Sequence, residues 1–373
     1  MTKDVSIMKI SSDTSQPNEF KLLSEEWIDL QTWFVQVLKL PADELSFRER
    51  YGSFEDKQGV QEFIAALSDA QQIARSFGHP SQIQQILATD GGALTSAAPP
   101  DLIYGHLIWL MSQIQNASTS IVSYLSDLKT ILDTSMGDDT TRAEASKALL
   151  CGSGGLLSIA NDTMEKIQSL VSKIFGFQSR LAGSIQVFND TNLINEANQM
   201  IGGLTSKIER LKKQADADYK IWKGKALSGN TDKESLSVSD SQGGKSFFAW
   251  LIPNRKKEKA RKEYEELMAE IGDDQADIQQ KALFIADLKG FFVAGNEVVP
   301  AIQAIDSALG KLDKTFDNWG NTVSSTCELA NDQQLGSITW LSQALGVTTV
   351  TQTFQTLANE ASEFISHSLV SFD

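Results

Sequence analysis

The sequence is poor in the residues that most chemistry needs. Its 373 positions hold three histidines and two cysteines. His79, His106 and His367 lie far apart without metal-ligand spacing, and Cys151 and Cys327 are too few for a multi-bridge framework. No Ser/His/Asp or Cys/His arrangement stands out, so no catalytic residue, metal or cofactor is expected. Proline is absent from Asp101 to Ile252, which permits very long helices. No run of about 18 apolar residues occurs, so no segment reads as a ready-made transmembrane helix. The opening MTKDVSIMKISSDTSQPNEF has no apolar stretch of signal-peptide length; a protein leaving the cell with this start would use another route.

What is present describes a folded chain with an acidic surface. Hydrophobic residues make up 41% and charged residues 22%, enough to bury a sizeable core. The net charge of -15 opposes nucleic acid phosphates, so no nucleic-acid partner is expected.

Apolar residues recur in alternating steps of four and three. Ile103, Leu107, Leu110, Ile114, Ala117, Ile121, Tyr124, Leu128 and Ile131 form one seam, entered through Pro99-Pro100-Asp101. MGDD at Met136–Asp139 interrupts it, and CGSGG at Cys151–Gly155 is a second soft point. From Ala160 to Lys223 the pattern predicts one uninterrupted helix, ~95 Å long at ~1.5 Å per residue. Leu227 to Gly244, rich in Ser, Asp and Gly, reads as a turnaround. Pro253 then starts a returning helix through Ala260, Leu267, Ile271, Ile278, Ile285 and Phe292. Past Pro300 another seam runs through Ile302, Ile305, Leu309, Leu312, Phe316, Trp319 and Val323, with shorter closing helices behind it. Leu22–Leu40 and Val60–Phe77 add two amphipathic helices.

The predicted class is all-α: an elongated helical bundle, or tail, with a long antiparallel hairpin ending in a small head. LSVS and FFAWLI lend that head some β character, enough for a short β-hairpin. The expected division is a flexible N-terminus over 1–20, a tail bundle over 21–205 and 275–373, and a distal hairpin and head over 206–274, with the tip at 227–253.

Charge is concentrated at that tip. From Ser206 to Lys262, fifteen basic residues face seven acidic ones, so this window carries +8 and the remainder -23. Inside it lies GGKSFFAWLIPNRKKEK, Gly243–Lys259. Aromatic and branched apolar residues flanked by cations suit the boundary of an anionic bilayer. Phe247, Phe248, Trp250, Leu251 and Ile252 are the residues expected to enter that boundary; Lys245, Arg255, Lys256, Lys257 and Lys259 are those expected to hold headgroups. The structural alternative is a small satellite core with a solvated cationic helix face.

GGKS lacks the first glycine of a phosphate-binding loop, since Ser239 occupies that position. CGSGG lacks a strand-turn-helix setting and reads as a hinge between helix segments. Asn116, Asn161 and Asn189 begin glycosylation triplets best taken as chance. Asp273, Asp274 and Asp277 read as a solvated helix face. Gly152, Gly154, Gly155, Gly202 and Gly203 interrupt helical stretches, either as close-packing points or as hinges.

SEEWIDLQTWFVQVLKLP (Ser24–Pro41), FRERYG (Phe47–Gly52) and PPDLIYGHLIWLMSQIQNAS (Pro99–Ser118), with the whole-chain architecture, resemble the α-helical pore-forming toxins of the cytolysin A superfamily. The likeness is to the A-type subunits of binary and tripartite toxins such as the xenorhabdolysins. That resemblance implies a virulence-associated haemolytic subunit, secreted without a classical signal peptide, monomeric in solution, and acting on target-cell membrane lipids together with other toxin subunits. SFFAWLIP is too short to cross ~30 Å of hydrocarbon, so a partner subunit is expected to supply the spanning segment. The reading from another class is a non-enzymatic coiled-coil scaffold whose tip binds an acidic protein partner.

Overall fold

A computed structural model of the chain describes residues 25–79, 83, 98–133, 138–189, 192–223 and 255–367. Among the described residues the protein is all-α and contains no strand. Eleven helices follow in order: α1 Glu25–Leu38, α2 Glu44–Tyr51, α3 Lys57–Phe77, α4 Ile103–Asp133, α5 Asp139–Cys151, α6 Leu156–Asn189, α7 Leu193–Lys223, α8 Arg255–Leu329, α9 Asp332–Leu335, α10 Ile338–Ala344 and α11 Val347–His367.

They fall into two compact units. Unit 1 comprises 1–42, 65–190 and 290–373; unit 2 comprises 43–64 and 191–289. In unit 1, α4 is the central helix. Every residue from Ile103 to Met111 is buried, and a helix buried all round belongs inside a bundle. It packs against α11, α6, α5 and α10. One cluster of rings joins α1, α3, α4 and α6: Phe34 stacks on Phe77 at 4.5 Å, and Phe77 meets Phe177 at 5.7 Å and Tyr104 at 5.9 Å. Buried Gln71 on α3 donates to the carbonyls of Val37 and Leu40, closing orphan groups at the end of α1. Cys151, the last residue of α5, is joined by a disulfide to Cys327 near the end of α8.

Two stretches differ from the periodic pattern. The helix expected from Ala160 to Lys223 is divided into α6, which begins at Leu156, and α7. The junction reads Asn189-Asp-Thr-Asn192, side chains that compete with the backbone for hydrogen bonds. Asn192 immediately precedes α7: its carbonyl accepts from the Glu196 amide at 3.0 Å, and its side chain accepts from Asn195 Nδ2 at 2.9 Å. Conversely, Pro300 lies inside α8, which is helical over 75 residues. The missing N–H does not end the helix there, and its neighbours Val298, Ala301 and Ile302 are buried.

In unit 2, α7 and the first part of α8 run antiparallel. Lys207 meets Glu270 and Asp274, whereas Tyr219, further along α7, meets Tyr264, further back on α8. Ile208 and Leu211 pack with Ile271 to form the seam, with Leu267 and Ile278 against it.

Candidate functional site

Antiparallel pairing brings Lys223 and Arg255 to the same end of unit 2, with residues 224–254 between them in sequence. Lys245, Phe247, Phe248, Trp250, Leu251 and Ile252 lie outside the described residues. Arg255, Lys256 and Lys257 occupy the first turn of α8. Lys259 is exposed and pairs with Glu263 at 3.4 Å.

Behind that turn the charge on α8 is balanced along the helix. Arg261 bonds Glu265 at 2.8 Å, and Lys262 approaches Glu266 at 3.7 Å, each four residues on. The cations of α7 are less balanced: Arg210, Lys212, Lys213 and Lys220 are all exposed. Lys207 differs, because it spans the seam to Glu270 at 2.9 Å and Asp274 at 3.0 Å. Those hydrogen bonds hold its ammonium pKa above the ordinary lysine value. Asp274 is therefore a buried seam partner rather than part of a solvated face, while Asp273 is exposed. α7 thus carries exposed cations from Arg210 to Lys220, beyond the contact that ties Lys207 to Glu270 and Asp274.

The glycines separate into two kinds. Gly152 caps α5, Gly154 has φ +77°, and a Cβ on Gly155 would strike the Leu149 carbonyl at 2.6 Å. These three need glycine for backbone geometry, and they directly follow the cystine. Gly202 and Gly203 lie inside α7 on its exposed side, with no atom within 4 Å of a built Cβ, so close packing is not what requires glycine there.

A second constellation in unit 2 was not read from the sequence. Phe284 on α8 is surrounded by Phe54 at 5.0 Å, Tyr51 at 5.3 Å, Phe63 at 5.6 Å and Phe47 at 5.9 Å. One turn back, Lys281 is fully buried; its Nζ donates to the Tyr51 carbonyl at 2.7 Å and lies 4.3 Å from the Phe54 ring centre. Burial pushes its pKa down, against the opposing pull of Asp277 and Glu196. Arg50 and the Tyr51 hydroxyl both donate to Asp287, at 2.7 and 2.9 Å. The FRERYG run, Phe47–Gly52, supplies Phe47, Arg50 and Tyr51 to this cluster.

In unit 1, His106 is fully buried with its ring 5.5 Å from Trp109, and neither ring nitrogen has a hydrogen-bond partner among the described residues. Burial, with Lys173 adding to it, drives its pKa down to about 4. Among the described residues no group of three or more His, Cys, Asp or Glu could hold a metal ion. No described helix is long and apolar enough to cross a membrane.

No family model matches the chain, and no curated protein does. Solved structures similar to it include XaxA from Xenorhabdus nematophila, at 14% identity over 91% of this chain and 94% of that one, with a TM-score of 0.42. A soluble triple head mutant of AhlC, from the tripartite α-pore-forming toxin AHL of Aeromonas hydrophila, gives 12% identity over 91% and 98%, with a TM-score of 0.44. The SmhB pore of the tripartite α-pore-forming toxin Smh from Serratia marcescens gives 10% identity over 92% and 99%, with a TM-score of 0.43.

Proposed function

We propose that this chain is a non-enzymatic component of a multi-subunit α-pore-forming toxin. It docks its tip, residues 227–253, on a target membrane and assembles there with partner subunits. The observation that carries this reading is the antiparallel pairing of α7 with α8, which delivers both ends of a basic, aromatic segment to one place. Phe247, Phe248, Trp250, Leu251 and Ile252 enter the lipid interface, while Lys245, Arg255, Lys256, Lys257 and Lys259 hold anionic headgroups, each contributing roughly 1 kcal/mol. The spanning segment comes from another subunit, and Gly152, Gly154, Gly155, Gly202 and Gly203 are hinges of the rearrangement.

Sedimentation with protein-free phosphatidylserine vesicles tests this. Trp250→Ala combined with Phe247→Ala is expected to abolish association without lowering helicity. Unchanged association removes the tip as the anchor. A parent chain that never sediments favours a scaffold with an acidic protein partner.

A further inference from the structure

Residues 43–64 reach across unit 2 as a strap, built from α2, the Gly52–Asp56 turn and the first turns of α3. Its grip on α7 and α8 has an apolar centre and a polar rim. At the centre, the rings of Phe47, Tyr51, Phe54 and Phe63 enclose Phe284. At the rim, Asp287 accepts from Arg50 and Tyr51, Gln280 donates to the Glu49 carbonyl at 3.4 Å, and Glu196 of α7 accepts from the amides of Glu55 and Asp56 at 2.6 and 3.3 Å.

Two features distinguish this grip from ordinary core packing. The first is Lys281, a cation placed in the aromatic box with one short hydrogen bond and Asp277 only at 3.5 Å. Desolvating a charge is costly, and the single short hydrogen bond to the Tyr51 carbonyl offsets only part of that cost. Lys281 therefore fixes where the strap sits, by holding the carbonyl that ends α2, rather than maximising how tightly it is held. Gly52 completes the fit: at φ +73° its built Cβ would meet Gln280, Asp277 and Lys281 within 3 Å. The second is the size of the element. α2 has eight residues, too few to persist once lifted from Phe284. Each rim contact involves a group that water can satisfy instead.

We propose that residues 43–64 are a releasable clasp, an autoinhibitory contact that holds unit 2 in its free form and opens as a unit when the chain sits on an anionic membrane. The membrane trigger rests on the toxin-subunit reading; the clasp itself does not. Opening exposes Phe47, Tyr51, Phe54 and Phe284 together and frees α8 along the face that carries Lys281.

Hydrogen exchange on the full chain, free and on phosphatidylserine vesicles, tests both parts. In the free chain the amides of Phe47–Phe54 are expected to exchange through one shared opening, about tenfold or more faster than those of central α4. Phe284→Ala accelerates that opening, and Lys281→Met, which leaves the buried Tyr51 carbonyl without its donor, accelerates it less. Exchange of the strap only in step with α4, or acceleration by Lys281→Met as large as by Phe284→Ala, overturns the clasp. On vesicles the strap amides are expected to exchange about tenfold faster again. Bound protein with unchanged strap exchange overturns the trigger while leaving membrane docking intact. A chain that does not sediment overturns membrane docking and the trigger together, and the free-chain rates still decide the clasp.

Discussion

His106 makes unit 1 acid-labile by a predictable amount. The imidazole is fully buried without a hydrogen-bond partner among the described residues, and its pKa is depressed to about 4, against about 6.5 in an unfolded chain. A base whose folded pKa is lowered stabilises the fold fully above the unfolded value. That contribution is lost as pH falls from about 6.5 toward about 4. The whole span is worth about 3 kcal/mol, of which about 2 kcal/mol has gone by pH 5. Lys173 of α6 adds repulsion in the same direction. His106→Leu removes the titration while nearly conserving volume, at a pH-independent packing cost of about 1.5 kcal/mol or less. The assay is the opening free energy of α4 amides by hydrogen exchange at pH 8 and pH 5, in parent and variant. The parent is expected to lose about 2 kcal/mol more than the variant over that interval. Parallel losses would refute the burial argument, because other carboxylates titrate equally in both proteins.

Three further outcomes follow from the packing. Cys151→Ser opens a loop of 176 residues, and chain entropy puts the cost near 5 kcal/mol; thermal melts with and without a reductant should separate the parent and coincide for the variant. Gly52→Ala forces a side chain into the left-handed region against three neighbours, for a cost of about 1–3 kcal/mol, read as faster exchange in α2 with α4 unchanged. Phe284→Ala empties the centre of four rings and should cost about 3–5 kcal/mol in denaturant unfolding of unit 2.

The long helices were legible because their seams repeat. Pro99-Pro100-Asp101 announces the region where α4 begins at Ile103, and MGDD marks the gap before α5, whose N-cap is Asp138. The strap was not legible, for a physical reason. α2 buries only Phe47 and Tyr51 in eight residues, so no stripe repeats. Its partner Phe284 stands some 230 residues later, in a stretch where Asp277 reads as solvated charge. Asp274 misled in the same way, since only its cross-seam contact with Lys207 reveals that it is buried. The cystine was equally silent, because two cysteines 176 residues apart carry no local signal of approach. The tip residues were legible as composition, and their role stays a proposal.

The bond between Cys151 and Cys327 also sets the topology of the backbone. It closes a covalent ring containing all of α6 and α7 and residues 224–254. A protease that nicks the chain between Lys223 and Arg255 therefore sheds nothing: both halves of the cut hairpin stay tethered, even after denaturation. Such a molecule would migrate as two pieces on a gel only after reduction. Limited proteolysis can thus remove the continuity of that segment without removing mass.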